Sequence, residues 1–382
     1  MMRCCVTHRW FFVWLVTAIL YGGTTAFASK AAFGASPHPD GKPAAGTSLA
    51  PTDPGAGTAV PHIALLLPVG LPTFARPAEA VRDGFMAAAK AQGGSPLPIR
   101  IHAVSEEDGQ SIVDGYRRAL DAGARMVVGP LTRSGVTALA ASDRVAVPTL
   151  ALSAPDGGGP MPQNLFVLSL QIEAEARQVA QLAFGEGRLN AYTINGDTPL
   201  QRRMHQAFVD EFSRLGGRHI AEFAATADRE GLDRIKQAAA LGVADMVFLA
   251  LDFQRARLVR PYLDPLALYA TSQVNPVNAG PLAGFDLANI RFLDMPWLLQ
   301  PDHPAVMIYP RPDFGGSIDL ERLYALGIDA FRIAQELLNG RTELKLDGVT
   351  GHITTGRDRH FVRELVSAQF SEGRLLPDNA RP

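Results

Sequence analysis

Apolar runs without polar alternation, each closed by glycine or proline and followed by a helical pattern, constrain this chain more than any other feature. The clearest is Ala124-Arg125-Met126-Val127-Val128-Gly129-Pro130-Leu131-Thr132-Arg133-Ser134. A Val-rich run of this kind is the pattern of a strand buried on both faces, as in a parallel sheet covered by helices. Gly129-Pro130 ends the strand, and Thr132 or Ser134 supplies the cap of the helix that follows. In a doubly wound sheet the carboxyl ends of the strands face the ligand crevice, which places turn 129–134 beside such a crevice. A plain strand-to-helix turn satisfies the same pattern.

The alternation starts at Ile63. Ile63-Ala64-Leu65-Leu66-Leu67-Pro68 reads as a buried strand, followed by a largely apolar loop over Val69-Gly70-Leu71-Pro72-Thr73-Phe74. Ala78, Val81, Phe85 and Ala88 then recur at helical spacing until Gly93-Gly94. A strand over 99–103, a helix marked by Ile112, Val113, Tyr116, Ala119 and Leu120, a helix over 136–141 and a strand over 147–152 complete a Rossmann-like lobe. A second set follows, with strands at 191–194, 246–250 and 266–270 and a helix carrying Met204, Phe208, Phe212 and Leu215 on one face. The expected fold class is α/β: two Rossmann-like lobes with a central cleft, a favoured place for a ligand.

The last third breaks the rhythm. A strand, Ile290-Arg291-Phe292-Leu293-Asp294, runs into a Pro-Trp corner, a Pro-rich loop leads to a helix over 320–338, and short strands follow to 373. At the other end, Arg3, His8 and Arg9 precede an apolar run over 10–20 and the small-x-small pattern Ala26-Phe27-Ala28, so residues 1–28 read as a signal peptide. The run is short for a membrane span. Residues 29–60, rich in Ala, Gly, Pro, Ser and Thr, read as a flexible linker. The only two cysteines, Cys4 and Cys5, lie in the leader. The part after it has no thiol for a disulfide, a nucleophile or a metal, and no cysteine follows the apolar run, where a lipoprotein signal places its acylated residue. With a net charge of −2 and no basic cluster, nucleic acid is not an expected partner.

Several stretches resemble the type 1 periplasmic binding protein fold, the fold of bacterial branched-chain amino-acid receptors. They are the first strand, Val81-Arg82-Asp83-Gly84-Phe85, Val128-Gly129-Pro130-Leu131, Val147-Pro148-Thr149-Leu150-Ala151-Leu152-Ser153 and Tyr324-Ala325-Leu326-Gly327-Ile328-Asp329-Ala330. Others resemble the C-terminal domain of the penicillin-binding protein activator family, the LppC-like lipoproteins. These are Tyr269-Ala270-Thr271-Ser272-Gln273, Phe292-Leu293-Asp294-Met295-Pro296-Trp297-Leu298-Leu299, Arg363-Glu364-Leu365 and Ala368-Gln369-Phe370. The likeness implies an outer-membrane-associated periplasmic protein whose partner is a bifunctional penicillin-binding protein. It also implies a lobe order: 61–165 plus 285–340 in lobe 1, 166–284 plus 341–382 in lobe 2.

The cleft candidates are groups at strand carboxyl ends. Thr132, Ser134 and Ser153 come from the first lobe, and Ser169, Gln171, Asn195 and Asp252 from the second. In the amino-acid receptors that the chain resembles, positions like Ser153 hold a ligand carboxylate with hydroxyls and backbone amides. A solvated acid is the alternative for Asp252. Trp297 is either a partner-facing anchor or a packed corner. No nucleophile elbow, His-Glu-x-x-His, dinucleotide or phosphate-loop pattern occurs. His352 and His360 around Arg357-Asp358-Arg359 read as a surface hairpin, and Glu106-Glu107-Asp108 as a solvated loop. No catalytic residue, cofactor or metal is expected. The sequence favours a non-enzymatic activator of a peptidoglycan synthase in the periplasm, with a receptor for a small polar ligand as the alternative.

Overall fold

The computed structural model describes residues 59–105, 108–157, 159–275 and 281–378. The leader, the linker up to residue 58 and Glu106-Glu107 lie outside the described residues.

The first half runs β1 (His62–Leu67), α1 (Pro72–Ala91), β2 (Ile99–Ala103), α2 (Gly109–Asp121), β3 (Ala124–Val128), α3 (Arg133–Ala140), β4 (Thr149–Ala151) and β5 (Leu165–Val167). These strands form a parallel five-stranded sheet in the order β2-β1-β3-β4-β5. The second half runs α4 (Ile172–Gly185), β6 (Asn190–Asn195), α5 (Pro199–Arg214), β7 (Arg218–Ala224), α6 (Arg229–Ala240), β8 (Met246–Ala250), α7 (Phe253–Val259), β9 (Ala267–Ala270), α8 (Pro281–Asp286) and β10 (Ile290–Asp294). The chain ends with α9 (Pro296–Leu299), α10 (Pro304–Met307), α11 (Ile318–Leu338), β11 (Lys345–Asp347), β12 (His352–Thr355), β13 (Phe361–Glu364), β14 (Val366–Ser371) and β15 (Arg374–Pro377).

Every residue of β1 is buried, as its unbroken apolar run requires. The pleat divides them. Ile63, Leu65 and Leu67 join the core with Phe85 of α1 and Phe331 of α11, while Ala64 and Leu66 face Tyr116 of α2 and Leu139 of α3. The helices α1 and α11 lie unusually close. A Cβ at Gly84 would sit 1.9 Å from the Tyr324 carbonyl oxygen, and one at Gly327 would sit 2.1 Å from the Val81 carbonyl oxygen. Each glycine lets one backbone rest on the other.

Two local expectations shift. Pro72-Thr73-Phe74 form the first turn of α1 instead of a loop. The helix expected from 136 opens at Arg133, because the Thr132 hydroxyl accepts a hydrogen bond from the Gly135 N–H at 3.2 Å. At Gly129 the backbone has φ of +113°, and a Cβ would meet the Leu66 carbonyl oxygen at 2.1 Å, so glycine is required there.

The lobe order implied for 285–340 is corrected by the sheets. β10 does not return to the first sheet. It lies parallel to β9 and antiparallel to β14, in a seven-stranded sheet ordered β15-β14-β10-β9-β8-β6-β7. Phe292 stacks on Phe370 at 5.1 Å, and that apolar pairing holds β10 in the second sheet. The return is made by α11, which packs along α1 and over β3. Residues after α11 are also divided: β11, β12 and β13 form a separate antiparallel sheet, and only β14 and β15 join the seven-stranded one.

Candidate functional site

The carboxyl ends of β3, β4 and β5 open onto a cavity of about 490 Å³. Their turns contribute Leu131, Thr132 and Arg133, then Leu152 and Ser153, then Ser169, Leu170 and Gln171. Phe74 and Pro77 of α1 and Leu323 and Leu326 of α11 extend the apolar wall on the same side. From the second half come Ile172, Glu173 and Glu175 of α4, Leu200 and Arg203 of α5, and Ser272 and Gln273 after β9.

Thr132, Ser153, Ser169 and Gln171 thus stand together on the cavity wall. Ser134 lies beside it, its hydroxyl 3.3 Å from that of Thr132. Asn195 and Asp252 end β6 and precede α7 as expected, but they are not part of this wall. Asp252 caps α7 through the Arg255 N–H at 2.9 Å and accepts from the Gln201 amide at 3.1 Å. The Arg255 guanidinium reaches Gln201 Oε1 at 2.8 Å and Asp197 at 2.7 Å, and holds the Asp197 carboxyl below its usual range. This cluster occupies the carboxyl ends of β6 and β8.

Trp297 is not a partner-facing residue. It is fully buried, with the Arg311 guanidinium over its ring at 4.3 Å and the Tyr324 ring tilted against it at 5.4 Å, and its Nε1–H donates to Glu321 at 2.7 Å. The Trp297 amide also donates to the Val349 carbonyl at 2.9 Å. A large side chain buried against these groups and satisfied at its polar tip is a packed corner.

The charges at the cavity were not singled out by sequence. At its mouth, Arg133 donates to the Glu173 carboxylate at 3.3 Å and to Asp156 at 3.2 Å, and Arg203 donates to the same Glu173 oxygen at 2.9 Å. Burial pushes Glu173 up, but its own backbone amide and the two guanidinium groups outweigh this and hold the carboxyl low. At the floor, Arg322 Nη2 donates to Asp294 and to the Ser272 carbonyl, both at 3.0 Å. Asn275 donates to Asp294 at 2.9 Å, and the Ser272 hydroxyl donates to Glu175 at 2.7 Å. Burial raises Glu175 despite the Arg363 charge nearby. Against the same burial penalty, Asp294 and Glu175 raise Arg322. Arg322 Nε has no hydrogen-bond partner. Behind the floor, buried Arg363 donates to the Ser169 and Thr350 carbonyls at 2.9 Å each. Asp294 and Arg363 lie in the stretches that carry the family likeness, but no spacing or periodicity in the sequence marks the role of either charge.

Among the described residues no group of three or more His, Cys, Asp or Glu is placed to hold a metal ion. No helix there is long and apolar enough to cross a membrane.

Two α/β halves, each with a largely parallel sheet, around a cavity at strand carboxyl ends define a protein of the type 1 periplasmic binding protein fold. A solved structure described as a putative branched-chain amino acid ABC transporter from Chromobacterium violaceum is 38% identical and covers 81% of this chain and 99% of its own, with a TM-score of 0.71. The LpoA (YraM) C-domain from Haemophilus influenzae, described as a regulator of PBP1A, shares the fold at a TM-score of 0.70 and 22% identity, covering 83% of this chain and 99% of its own. Residues 56–373 match the LppC putative lipoprotein family, and the chain belongs to that family. The penicillin-binding protein activator LpoA of Erwinia tasmaniensis is 26% identical over 322 residues, 72% of this chain and 48% of the relative. LpoA of Photobacterium profundum is 26% identical over 351 residues, 83% of this chain and 57% of the relative. The chain spans about half the length of the curated relatives it matches.

Proposed function

We propose that this chain is a non-enzymatic periplasmic activator of a bifunctional penicillin-binding protein, exported by its leader. The observation that carries this reading is the internal pairing of the cavity charges in a member of the LppC family. Glu173 is paired with Arg133 and Arg203, and Asp294 with Arg322, and the rest of the wall is mainly apolar. A receptor for a charged solute needs ionic groups that await the ligand. An activator needs only a surface that binds the active arrangement of its synthase more tightly than the inactive one. The relatives named penicillin-binding protein activator support the same assignment.

The test combines the purified chain with the organism's own bifunctional penicillin-binding proteins and follows glycan polymerisation and peptide crosslinking. The expected result is a saturable rise in rate. No rise together with no binding removes the activator reading.

A receptor for a small polar ligand is the second reading, and two observations favour it. Arg322 lines the cavity with an unsatisfied Nε, and the 38%-identical structure carries a transporter description. Thermal-shift screening of amino acids and muropeptides distinguishes the two: a dose-dependent rise in melting temperature favours the receptor.

A further inference from the structure

Three of the charged contacts at the cavity share a property their pairing alone does not require: Arg133–Glu173, Arg322–Asp294 and Arg322–Ser272 join one half of the molecule to the other. At the mouth, Arg133 opens α3 of the first half and Glu173 belongs to the first turn of α4 in the second. At the floor, Arg322 lies on α11, packed along α1 of the first half, while Asp294 ends β10 and Ser272 follows β9 of the second.

The two levels differ in exposure. Arg322 and Asp294 have side chains only 9% and 1% exposed. Parting the halves there strands a charge in a site built to hold it paired, the costly way to break a buried ion pair. Arg133 and Arg203 are partly exposed, at 36% and 47%, so the mouth pairs are individually weak and sensitive to salt. One apolar cluster also runs from Ile63 and Phe331 through to Phe208 and Phe248, but it is non-directional and does not fix the width of the mouth.

We propose that these cross-half contacts lock the cavity in one fixed, closed arrangement without a ligand, with the Asp294–Arg322 pair as the rigid floor and Arg133–Glu173, its carboxylate held in place by Arg203 of the same half, as a salt-sensitive latch. The chain's own side chains thus take the bridging role that a solute plays in a protein whose lobes close on their ligand. A partner meets a preformed surface spanning both halves, and no solute is needed to assemble it.

The test places spin labels at Thr73→Cys on α1 and Gln206→Cys on α5, both exposed positions of the two halves, in the full chain carrying Cys4→Ser and Cys5→Ser. Distances are measured by pulsed electron resonance. The expected result is one narrow distribution with no small molecule added, unchanged by saturating leucine or benzoate. Glu173→Gln, or salt raised to about 1 M, is expected to add a longer-distance population. Circular dichroism checks that each variant is folded, and Arg133→Gln repeats the latch test from the other partner. The proposal is overturned by a broad native distribution that narrows only with leucine or benzoate. It is equally overturned if the narrow distribution survives both Glu173→Gln and Arg133→Gln. No synthase is present in this experiment, so its failure leaves the activator reading standing. Absence of synthase stimulation leaves the lock standing in turn.

Discussion

Replacing Gly84 by alanine sets two effects of opposite sign against each other. The new methyl carbon would lie 1.9 Å from the Tyr324 carbonyl oxygen, where ordinary contact begins at 3.4 Å. The obstacle is helix backbone, with no rotamer through which to escape. The helices α1 and α11 must therefore separate locally by roughly 1.5 Å, loosening Phe85 against Phe331, now edge to face at 5.1 Å. Overpacking of this kind costs about 1–3 kcal/mol, and a backbone obstacle argues for the upper end. Alanine in a helix interior recovers about 1 kcal/mol relative to glycine, leaving a net loss of about 2 kcal/mol. For a folded part of this size that lowers the melting temperature by roughly 3 °C. Gly185→Ala is the matched control, since Gly185 ends α4 with nothing within 4 Å of its would-be Cβ; it should be neutral or slightly stabilising. A Gly84→Ala protein that melts at or above the native temperature refutes the close-approach argument, and so does a Gly185→Ala protein that loses as much.

Other outcomes follow from single sites. Burial holds His205 and His102 below the ordinary 6.5, with Glu222 opposing it at His205 and the His62, Arg100 and Arg118 charges adding to it at His102. The unfolded chain therefore binds protons first, stability falls as the pH drops from neutral through 6.5 towards the depressed folded values, and His102→Gln should flatten that slope in thermal melts across the window. Asp329→Asn removes a buried carboxylate that accepts from the Val349 amide at 3.1 Å, the Thr350 amide at 2.8 Å and the Thr350 hydroxyl at 2.7 Å. A loss of about 2–4 kcal/mol in denaturant unfolding is expected, and an unchanged midpoint would show that the loop over 348–351 does not depend on it. Trp297→Phe breaks the Nε1–H bond to Glu321 and should cost about 2 kcal/mol while leaving synthase stimulation intact; a loss of stimulation with unchanged stability would return Trp297 to the partner surface.

The first sheet was legible because β1 and β3 are buried on both faces, and an unbroken apolar run encodes that directly. β10 has the same character, yet two-sided burial says nothing about which sheet supplies the neighbours. Its place between β9 and β14 depends on pairings with residues 268–270 and 366–369, remote in sequence. The strand-end rule carried Thr132, Ser153, Ser169 and Gln171 to the cavity wall. The same rule selected Asn195 and Asp252, whose end of the sheet is occupied by Gln201 and Arg255. Arg133, Glu173, Glu175, Arg203 and Arg322 escaped notice because a lone charge on a helix pattern looks solvated until its partner, often tens of residues away, is known. Gly84 and Gly327 stood inside stretches quoted for the fold resemblance, but their use, one helix backbone resting on another, is visible only when both helices are in place.

The late return of α11 has a consequence for how this chain can be made. The strands of the first sheet are complete by residue 167, yet the helix that covers Ile63, Leu65 and Leu67 together with α1 comes from residues 318–338. The second sheet likewise draws two of its seven strands from residues 366–377. A nascent chain therefore cannot finish either half early, because the contacts that close each one are long-range and C-terminal. Any fragment ending before α11 leaves an apolar sheet face open to water, and neither half has all its elements until α11, for the first, or β14 and β15, for the second, have been synthesised.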